Sequence, residues 1–209
     1  MSTSTTARAN DPHAGQLSTM AGVPLTSASY ALILVHGRGG TAEGMLPIAR
    51  AAGASDGAVV ALRAADGSWY PNRFLAPASQ NEPWLSSALA LLGNTVQSVR
   101  SAGVPTERIL IAGFSQGACL SLEYAARNPA RYGGVAALAG GLIGDDSDRR
   151  EYAGSMAGTP VLLSCGDADE HIPEARVHHA AEVFTALGAA VDLRIYPGLG
   201  HSIDRKSVV

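Results

Sequence analysis

The stretch Gly113-Phe114-Ser115-Gln116-Gly117 decides the fold of this chain. It follows the short apolar run 108–112 (RILIA), typical of a buried strand, and precedes the run 118–127 (ACLSLEYAAR), typical of a helix. A serine on so sharp a turn has a strained backbone and an exposed hydroxyl, and the glycines on either side leave room for the turn. The following helix directs free N–H groups toward negative charge beside the serine. The stretch therefore predicts a candidate nucleophile, Ser115; an incidental serine in a glycine-rich turn is the alternative.

Candidate partners for Ser115 lie downstream, each just after a predicted strand. A serine hydroxyl is a weak nucleophile unless a base removes its proton and a third group orients that base. In the fold that uses such a turn, Asp or Glu and then His follow the serine along the chain. Asp167 and Asp169 follow one strand and His201 follows the last, at the carboxyl ends where parallel sheets place their active sites. His201 is the candidate base. Both Asp residues stay open as the acid, although Asp167, one residue after a glycine, also suits a turn.

A glycine-rich stretch, 36–40 (HGRGG), follows the apolar strand 30–35 (YALILV). Such a loop brings backbone N–H groups close to the reacting carbonyl oxygen, as one half of an oxyanion hole. The alternative is a phosphate-binding loop, but the stretch lacks the Gly-Lys-Ser/Thr ending and the full G-x-G-x-x-G pattern. His36, at a buried strand end, is predicted to be structural.

The motifs occur in one order along the chain: HGRGG at 36–40, GFSQG at 113–117, GDAD at 166–169 with Pro173, and GLGH at 198–201. With them the chain, from about Leu32 to Ser202, resembles the phospholipase/carboxylesterase family of α/β-hydrolases. The segments 71–77 and 81–84 resemble its bacterial carboxylesterase branch. The resemblance implies an α/β-hydrolase fold with a mainly parallel sheet, helices on both faces and no large cap domain.

The resemblance also implies roles for individual residues. Ser115 is the expected nucleophile, His201 the base and Asp169 the acid that orients it. The backbone N–H groups of Arg38 and Gln116 are the expected oxyanion hole. No metal or organic cofactor is expected in this chemistry, and the sequence has no Cys/His cluster with metal-ligand spacing.

The coarse pattern alternates strands with helices. Strands are predicted at 31–36, 58–63, 108–113, 134–139, 160–165 and 190–196, and helices at 42–53, 84–102, 115–128 and 174–187. This alternation predicts a mainly parallel sheet covered on both faces, in one domain over 1–209. Residues 1–14 are predicted to be flexible, and 15–29 to add an edge hairpin.

The loop 64–83 is long for a compact domain, and such loops are usually functional. Trp69, Tyr70, Arg73 and Phe74 are its candidate substrate-binding residues. Their compact aromatic walls predict small or short-chain esters, and Arg73 suits a carboxylate-bearing substrate or simply a solvated surface. The alternative is that the aromatic side chains only pin the loop to the core.

Bulk properties fit a globular protein without a nucleic-acid or membrane partner. A net charge of −3 offers neither nucleic acid nor an anionic membrane a complementary surface. Cys119 and Cys165 are predicted to be buried, reduced thiols. The start of the chain lacks the apolar run of a signal peptide and no stretch suits a membrane span, so a cytoplasmic location is expected.

The function that these features favour is a serine carboxylesterase acting on small ester molecules through an acyl-enzyme. The alternatives are an acyl thioesterase or lysophospholipase-like hydrolase, an acyltransferase to alcohols, and a low-turnover ligand-binding protein. Only eight residues follow His201, too few for the long amphipathic helix that usually ends such enzymes. One flank of the sheet is therefore expected to lack its cover, which a homodimer is one way to supply.

Overall fold

A computed structural model describes residues 11–53, 56–145, 148 and 151–203. Within them the strands are β1 (Thr19–Gly22), β2 (Ala31–Val35), β3 (Ala58–Leu62), β4 (Ile109–Phe114), β5 (Gly134–Leu138), β6 (Pro160–Gly166) and β7 (Ala190–Tyr196). The helices are α1 (Ala42–Ala51), α2 (Trp84–Ser101), α3 (Gln116–Arg127) and α4 (Glu174–Ala186). The predicted strands are confirmed with ends within one residue, and the predicted helices with ends within two.

The strands form one sheet in the order β1-β3-β2-β4-β5-β6-β7. Strands β2 to β7 run parallel, and β1 pairs antiparallel with β3. The central strands therefore end at one edge of the sheet, and the loops that follow β2, β4, β6 and β7 meet there. All four candidate motifs lie in those loops, which is how residues distant in the chain come together.

The N-terminal predictions need correction. Instead of a hairpin, residues 15–29 contribute the single strand β1 and a 3-10 turn at Leu25–Ser27. The strand pairs with the outer edge of β3, whose N–H and C=O groups would otherwise be open to another chain. Residues 1–10 of the predicted flexible segment lie outside the described residues. His13 is 1% exposed and contacts the rings of Trp69 and Trp84, so flexibility is wrong for this part of the segment.

The sheet buries apolar side chains on both faces. On one face, alternate residues such as Ile33 and Ile111 pack against α2, α3 and α4. On the other, residues such as Leu34 and Val59 pack against α1. Strand β2 is buried at every position, as expected for a parallel strand covered on both sides. Cys119 and Cys165 are buried free thiols, as predicted.

The α1 face also carries an apolar groove beyond the helix. Leu110, Ala136 and Leu162, from the adjacent strands β4, β5 and β6, contribute to a cavity of about 480 Å³. The prediction that one flank of the sheet lacks a covering helix depends on the residues after His201. Of these, 204–209 lie outside the described residues. Among the described helices, none has the length and apolar character needed to cross a membrane.

Candidate active site

Ser115 lies on a strained turn between β4 and α3. Its backbone has φ +54° and ψ −120°, a conformation that non-glycine residues adopt only when the surroundings enforce it. A Cβ at Gly113 would overlap the carbonyl of Gly117, and a Cβ at Gly117 would overlap the carbonyl of Val35. The N–H of Ser115 donates to the Leu138 carbonyl of β5 at 2.9 Å. The flanking glycines thus let helix and strands approach closely enough to hold the serine.

Three side chains from separate loops are connected by short contacts. His201 Nε2 lies 2.8 Å from Ser115 Oγ, and His201 Nδ1 lies 2.7 Å from Asp169 Oδ2. Because an ionised carboxylate only accepts, Nδ1 carries the proton toward Asp169 and Nε2 is free to accept from the serine hydroxyl. The imidazole also packs against the rings of Phe114 and His171, at centroid distances of 5.2 and 4.7 Å. The Asp169 contact therefore sets the tautomer of His201, and the ring contacts help to fix its orientation.

Asp169 is held as a buried carboxylate. Its side chain is 0% exposed, and Oδ1 accepts from the backbone N–H groups of His171 (2.8 Å) and Ile172 (3.0 Å). Burial opposes ionisation, but the hydrogen bonds from His201, Ile172 and His171 outweigh it and lower the pKa of Asp169. The thiol of Cys165 lies 3.7 Å from Oδ2, and burial raises the pKa of that thiol to about 12. The charged member of this pair is thus the carboxylate.

Asp167 has a different place in the same turn. Its Oδ1 accepts from the N–H of Gly198 at 2.7 Å. A Cβ at Gly166 would overlap the carbonyl of Leu199, so the β6 turn and the loop carrying His201 lie in close contact. Asp167 therefore ties the two loops together, and it is Asp169 that contacts His201 in this structure.

Two candidate backbone donors belong to residues that line the same cleft as Ser115, namely Arg38 and Gln116. Gln116 is the first residue of α3, and the first N–H groups of a helix have no acceptor within it. Arg38 lies in the loop after β2, and no described residue accepts from its backbone N–H. A Cβ on Gly37 would lie 3.3 Å from Cβ of Ser115, which shows how close this loop is to the serine. The arrangement leaves both donors available for an oxyanion.

His36 has a structural role, as predicted. It is 1% exposed, its Nδ1 donates to the Gly37 carbonyl at 2.7 Å, and its Nε2 accepts from the Ala64 N–H at 3.1 Å. Burial lowers the pKa of His36, so the ring is held neutral between the two loops.

A cleft of about 540 Å³ opens above Ser115. It is lined by Arg38, Tyr70, Pro71, Asn72, Arg73, Phe74, Ser115, Gln116, Cys119, His171, Ile172 and His201. Three of the predicted substrate residues, Tyr70, Arg73 and Phe74, belong to this lining. The long loop after β3 thus forms one wall of the cleft.

Trp69 is wrong as a predicted substrate residue. It is 0% exposed, and its indole N–H donates to the His36 carbonyl at 2.7 Å. Its ring contacts those of His13 and His36, at centroid distances of 5.5 and 4.9 Å. The strand-end carbonyl needs a donor and the core accommodates the ring, so Trp69 pins the loop. Its neighbour Tyr70 belongs to the cleft lining, but with 1% exposure it is also a buried residue.

Sequence reasoning missed part of the lining. Ile172 and His171 were identifiable in principle, because they follow Asp169 within the same turn. The position of the Arg38 side chain could not be predicted from the sequence. A glycine-rich loop indicates backbone donors, but it does not indicate the direction of a long side chain.

The chain is similar to known proteins over most of its length. A sequence model of the family described as Phospholipase/Carboxylesterase matches residues 23–209. Acyl-protein thioesterase 1 of Gibberella zeae is 32% identical over 111 residues, 52% of this chain and 47% of that protein. The crystal structure of a phospholipase/carboxylesterase from Dyadobacter fermentans is 41% identical, with a TM-score of 0.90 over 93% of both chains. That of Arabidopsis thaliana SOBER1 is 22% identical, with a TM-score of 0.70 over 86% of this chain and 93% of the other, a likeness of fold alone.

The matches to individual curated relatives are shorter than the match to the family model. The aligned part of the chain spans about half the length of the first curated relatives, at 47%, 54% and 51%. The family model nevertheless covers the described strands from β2 onward and every described helix. On this match, the chain belongs to the phospholipase/carboxylesterase family and has the α/β-hydrolase fold.

Proposed function

We propose that this protein is a serine carboxylesterase that hydrolyses small or short-chain carboxylic esters through an acyl-enzyme. The observation that carries the proposal is the pair of contacts through His201, 2.8 Å to Ser115 Oγ and 2.7 Å to Asp169 Oδ2. A nucleophile, a base and an orienting acid in this geometry form the constellation that activates a serine for acyl transfer. Membership of a carboxylesterase family supports the same reaction class.

In the proposed first half-reaction, Ser115 Oγ attacks the acyl carbon while its proton passes to His201 Nε2. The carbonyl oxygen becomes an oxyanion, and Asp169 stabilises the imidazolium that forms. His201 then returns the proton to the departing alkoxide, the bond from acyl carbon to alcohol oxygen breaks, and the acyl group remains on the serine.

In the second half-reaction, a water molecule replaces the alcohol. His201 Nε2 takes a proton from this water as the oxygen attacks the acyl carbon, and it gives the proton to Ser115 Oγ as that bond breaks. The carboxylic acid leaves and the hydroxyl is restored. At both tetrahedral stages the N–H groups of Arg38 and Gln116 are the proposed oxyanion donors, a contribution typically worth about 10²- to 10³-fold in rate for each donor.

The dimensions of the cleft support a short acyl or alcohol group. Its lining combines apolar residues such as Phe74 and Ile172 with the polar residues Asn72 and Arg73. Tight binding of a long chain needs a continuous apolar channel, since each buried methylene contributes about 0.8 kcal/mol. The described lining mixes apolar with polar residues.

Hydrolysis of acyl thioesters is the second candidate. The observation that favours it is the 32% identity to a protein named acyl-protein thioesterase 1. A thioester passes through the same acyl-enzyme, with a thiolate as the leaving group, so substrate comparison distinguishes the two candidates where the catalytic residues do not.

The test combines a nucleophile variant with matched substrates. Ser115→Ala should abolish labelling by a fluorophosphonate and lower turnover of p-nitrophenyl butyrate by about 10⁶-fold, as in serine hydrolases that lose the nucleophile. Ser202→Ala, an exposed serine beside His201, is the control and should label and turn over like the wild type. Labelling that persists in Ser115→Ala would contradict the proposal.

Steady-state measurement on the wild type separates the remaining alternatives. Sustained release of p-nitrophenol indicates an esterase, whereas a burst without a steady state indicates a ligand-binding protein. A higher kcat/KM for S-butyryl thioesters than for matched oxygen esters would favour the thioesterase candidate. Ester products formed in the presence of added alcohol would indicate acyl transfer.

A further inference from the structure

The guanidinium of Arg38 binds three consecutive carbonyls of the cleft wall. Nη2 donates to the carbonyls of Tyr70 (2.9 Å) and Asn72 (2.7 Å), and Nη1 donates to that of Pro71 (2.9 Å). Three neighbouring carbonyl dipoles aimed at one point repel each other unless a cation lies there. An arginine fits because its planar fork carries five N–H donors at fixed angles.

The side chain of Gln116 holds the adjoining part of the same wall. Its Oε1 accepts from the Trp69 N–H at 2.9 Å, and its Nε2 donates to the Tyr70 carbonyl at 2.7 Å. The Tyr70 carbonyl therefore accepts from both Arg38 and Gln116. These are the same two residues whose backbone N–H groups are the proposed oxyanion donors.

We propose that Arg38 is a positioning residue, whose guanidinium fixes the 70–74 wall of the cleft relative to the oxyanion N–H groups and so sets rate and chain-length selectivity together. The inference rests on the proposed function, because it concerns the placement of an ester in that site. Catalysis by positioning is sensitive to small displacements: a shift of about 1 Å can cost about 10²-fold. One side chain thus connects the donor for the oxyanion with the surface that receives the acyl or alcohol group.

The surroundings show why losing this clamp should loosen the wall without unfolding the protein. Pro71, Asn72 and Arg73 are exposed, so the interior does not depend on them. The wall keeps other anchors, because Trp69 remains buried and the Asn81 side chain accepts from the Asn72 N–H at 2.8 Å. No carboxylate of a described residue lies within 4.0 Å of the Arg38 guanidinium. The clamp therefore depends on donor number and geometry rather than on an ion pair.

The experiment replaces the guanidinium and leaves the backbone N–H of residue 38 in place. Arg38→Met removes every side-chain donor, and Arg38→Lys keeps the charge but not the planar fork. Arg63→Met is the matched control, since Arg63 is a partly exposed arginine paired with Glu43 at 2.7 Å, away from the cleft lining. Values of kcat and KM are measured for p-nitrophenyl acetate, butyrate, hexanoate and octanoate, per active site titrated with a fluorophosphonate.

Arg38→Met should lower kcat for the best substrate by about tenfold to 10²-fold, and the ratio of kcat/KM between short and long esters should move toward one. Arg38→Lys should recover part of both losses. Hydrogen exchange should become faster in peptides covering 68–76, since their backbone would open more often. Arg63→Met should match the wild type in all three measurements.

Unchanged kcat and chain-length ratios in folded Arg38→Met would overturn the proposal, and so would a lower Tm with wild-type kinetics per titrated site. If Arg38→Met does not fold, Arg38→Lys decides by the same two readouts. A wild-type protein that neither labels nor turns over would instead refute the proposed function. The two failures are therefore distinguishable.

Discussion

The carboxylate of Asp167 accepts a hydrogen bond from the backbone N–H of Gly198 at 2.7 Å. This bond joins the turn after β6 to the loop that carries His201, while Asp169, two residues later, contacts the imidazole itself at 2.7 Å. Two acids in one turn thus have separate tasks. One holds a loop, and the other holds the tautomer of the candidate base.

Substitution of the two acids by the corresponding amides distinguishes these tasks. Asp169→Asn should lower kcat by about 10⁴-fold, because an amide N–H facing His201 Nδ1 favours the wrong tautomer. Asp167→Asn should cost less than about tenfold, because the amide oxygen can still accept from Gly198. Steady-state kinetics on p-nitrophenyl butyrate with both variants provides the test. An inactive Asp167→Asn beside an active Asp169→Asn would reverse the assignment.

Chain length should limit turnover early in an ester series. We expect kcat/KM for p-nitrophenyl esters to be highest at acetate or butyrate and to fall by octanoate and palmitate, since the cleft lining mixes polar with apolar residues. Phe74→Ala, which enlarges the cleft by the volume of the removed ring, should move the optimum toward longer chains. A steady rise out to palmitate in the wild type would refute the small-cleft interpretation.

Trp69→Phe should affect stability more than substrate binding. It leaves the buried His36 carbonyl without its indole donor and the core with unfilled space, at a cost of about 2 to 3 kcal/mol in the free energy of unfolding. Urea unfolding measures that loss, and KM for butyrate should stay within about twofold, because Trp69 is absent from the cleft lining. A large KM increase with unchanged stability would restore Trp69 as a substrate residue.

Two buried histidines predict a loss of stability below neutral pH. His13 Nδ1 accepts a hydrogen bond from the Ala65 N–H at 3.1 Å, and His36 Nε2 accepts one from the Ala64 N–H at 3.1 Å. Burial lowers the pKa of both rings, and for His13 it outweighs the opposite effect of the nearby Asp11 and Asp66 carboxylates. Each ring is therefore neutral in the folded protein where the unfolded chain already takes up a proton.

The sign of the effect follows from this difference. Above an unfolded-state pKa of about 6.5, neither state is protonated and the histidines contribute no pH dependence. As the pH falls below that value, the free energy of unfolding should fall by up to about 1.4 kcal/mol per pH unit for each ring. Urea unfolding between pH 8 and 5 measures the slope. His13→Asn keeps an acceptor that does not titrate, so the slope of unfolding free energy against pH should become shallower, with His36 still contributing. The exposed His178→Asn should leave the slope unchanged. Equal slopes in the wild type and both variants would contradict the prediction.

The sequence was most informative where chemistry and chain geometry are local. The glycines around Ser115 indicate that their own turn has no room for a Cβ, and hydrophobic periodicity indicates which face of each element is buried. The order of serine, acid and histidine could be read directly because each follows a strand of a parallel sheet. Those features were sufficient for the strand and helix pattern and for a short set of candidate site residues.

Other features depend on contacts between distant segments and could not be read from local patterns. Trp69 lies outside the cleft lining, because the carbonyl that accepts from its indole belongs to the loop after β2. β1 pairs with β3 because the edge of β3 is free in the assembled sheet, a fact that the composition of residues 15–29 does not contain.

By itself, then, the sequence determined the alternation of elements, the strained serine turn and the ends of strands at which the candidate residues lie, since each follows from sterics and periodicity within one segment. The residues alone left Asp167 and Asp169 open, and the family resemblance implied Asp169. Only the tertiary structure showed that Asp169 faces His201 while Asp167 binds Gly198, and that the Arg38 side chain reaches the carbonyls of 70–72. The reason is physical: a hydrogen bond between loops depends on how the sheet brings the ends of its strands together. The conformational preferences of a segment do not depend on residues that are distant in the chain.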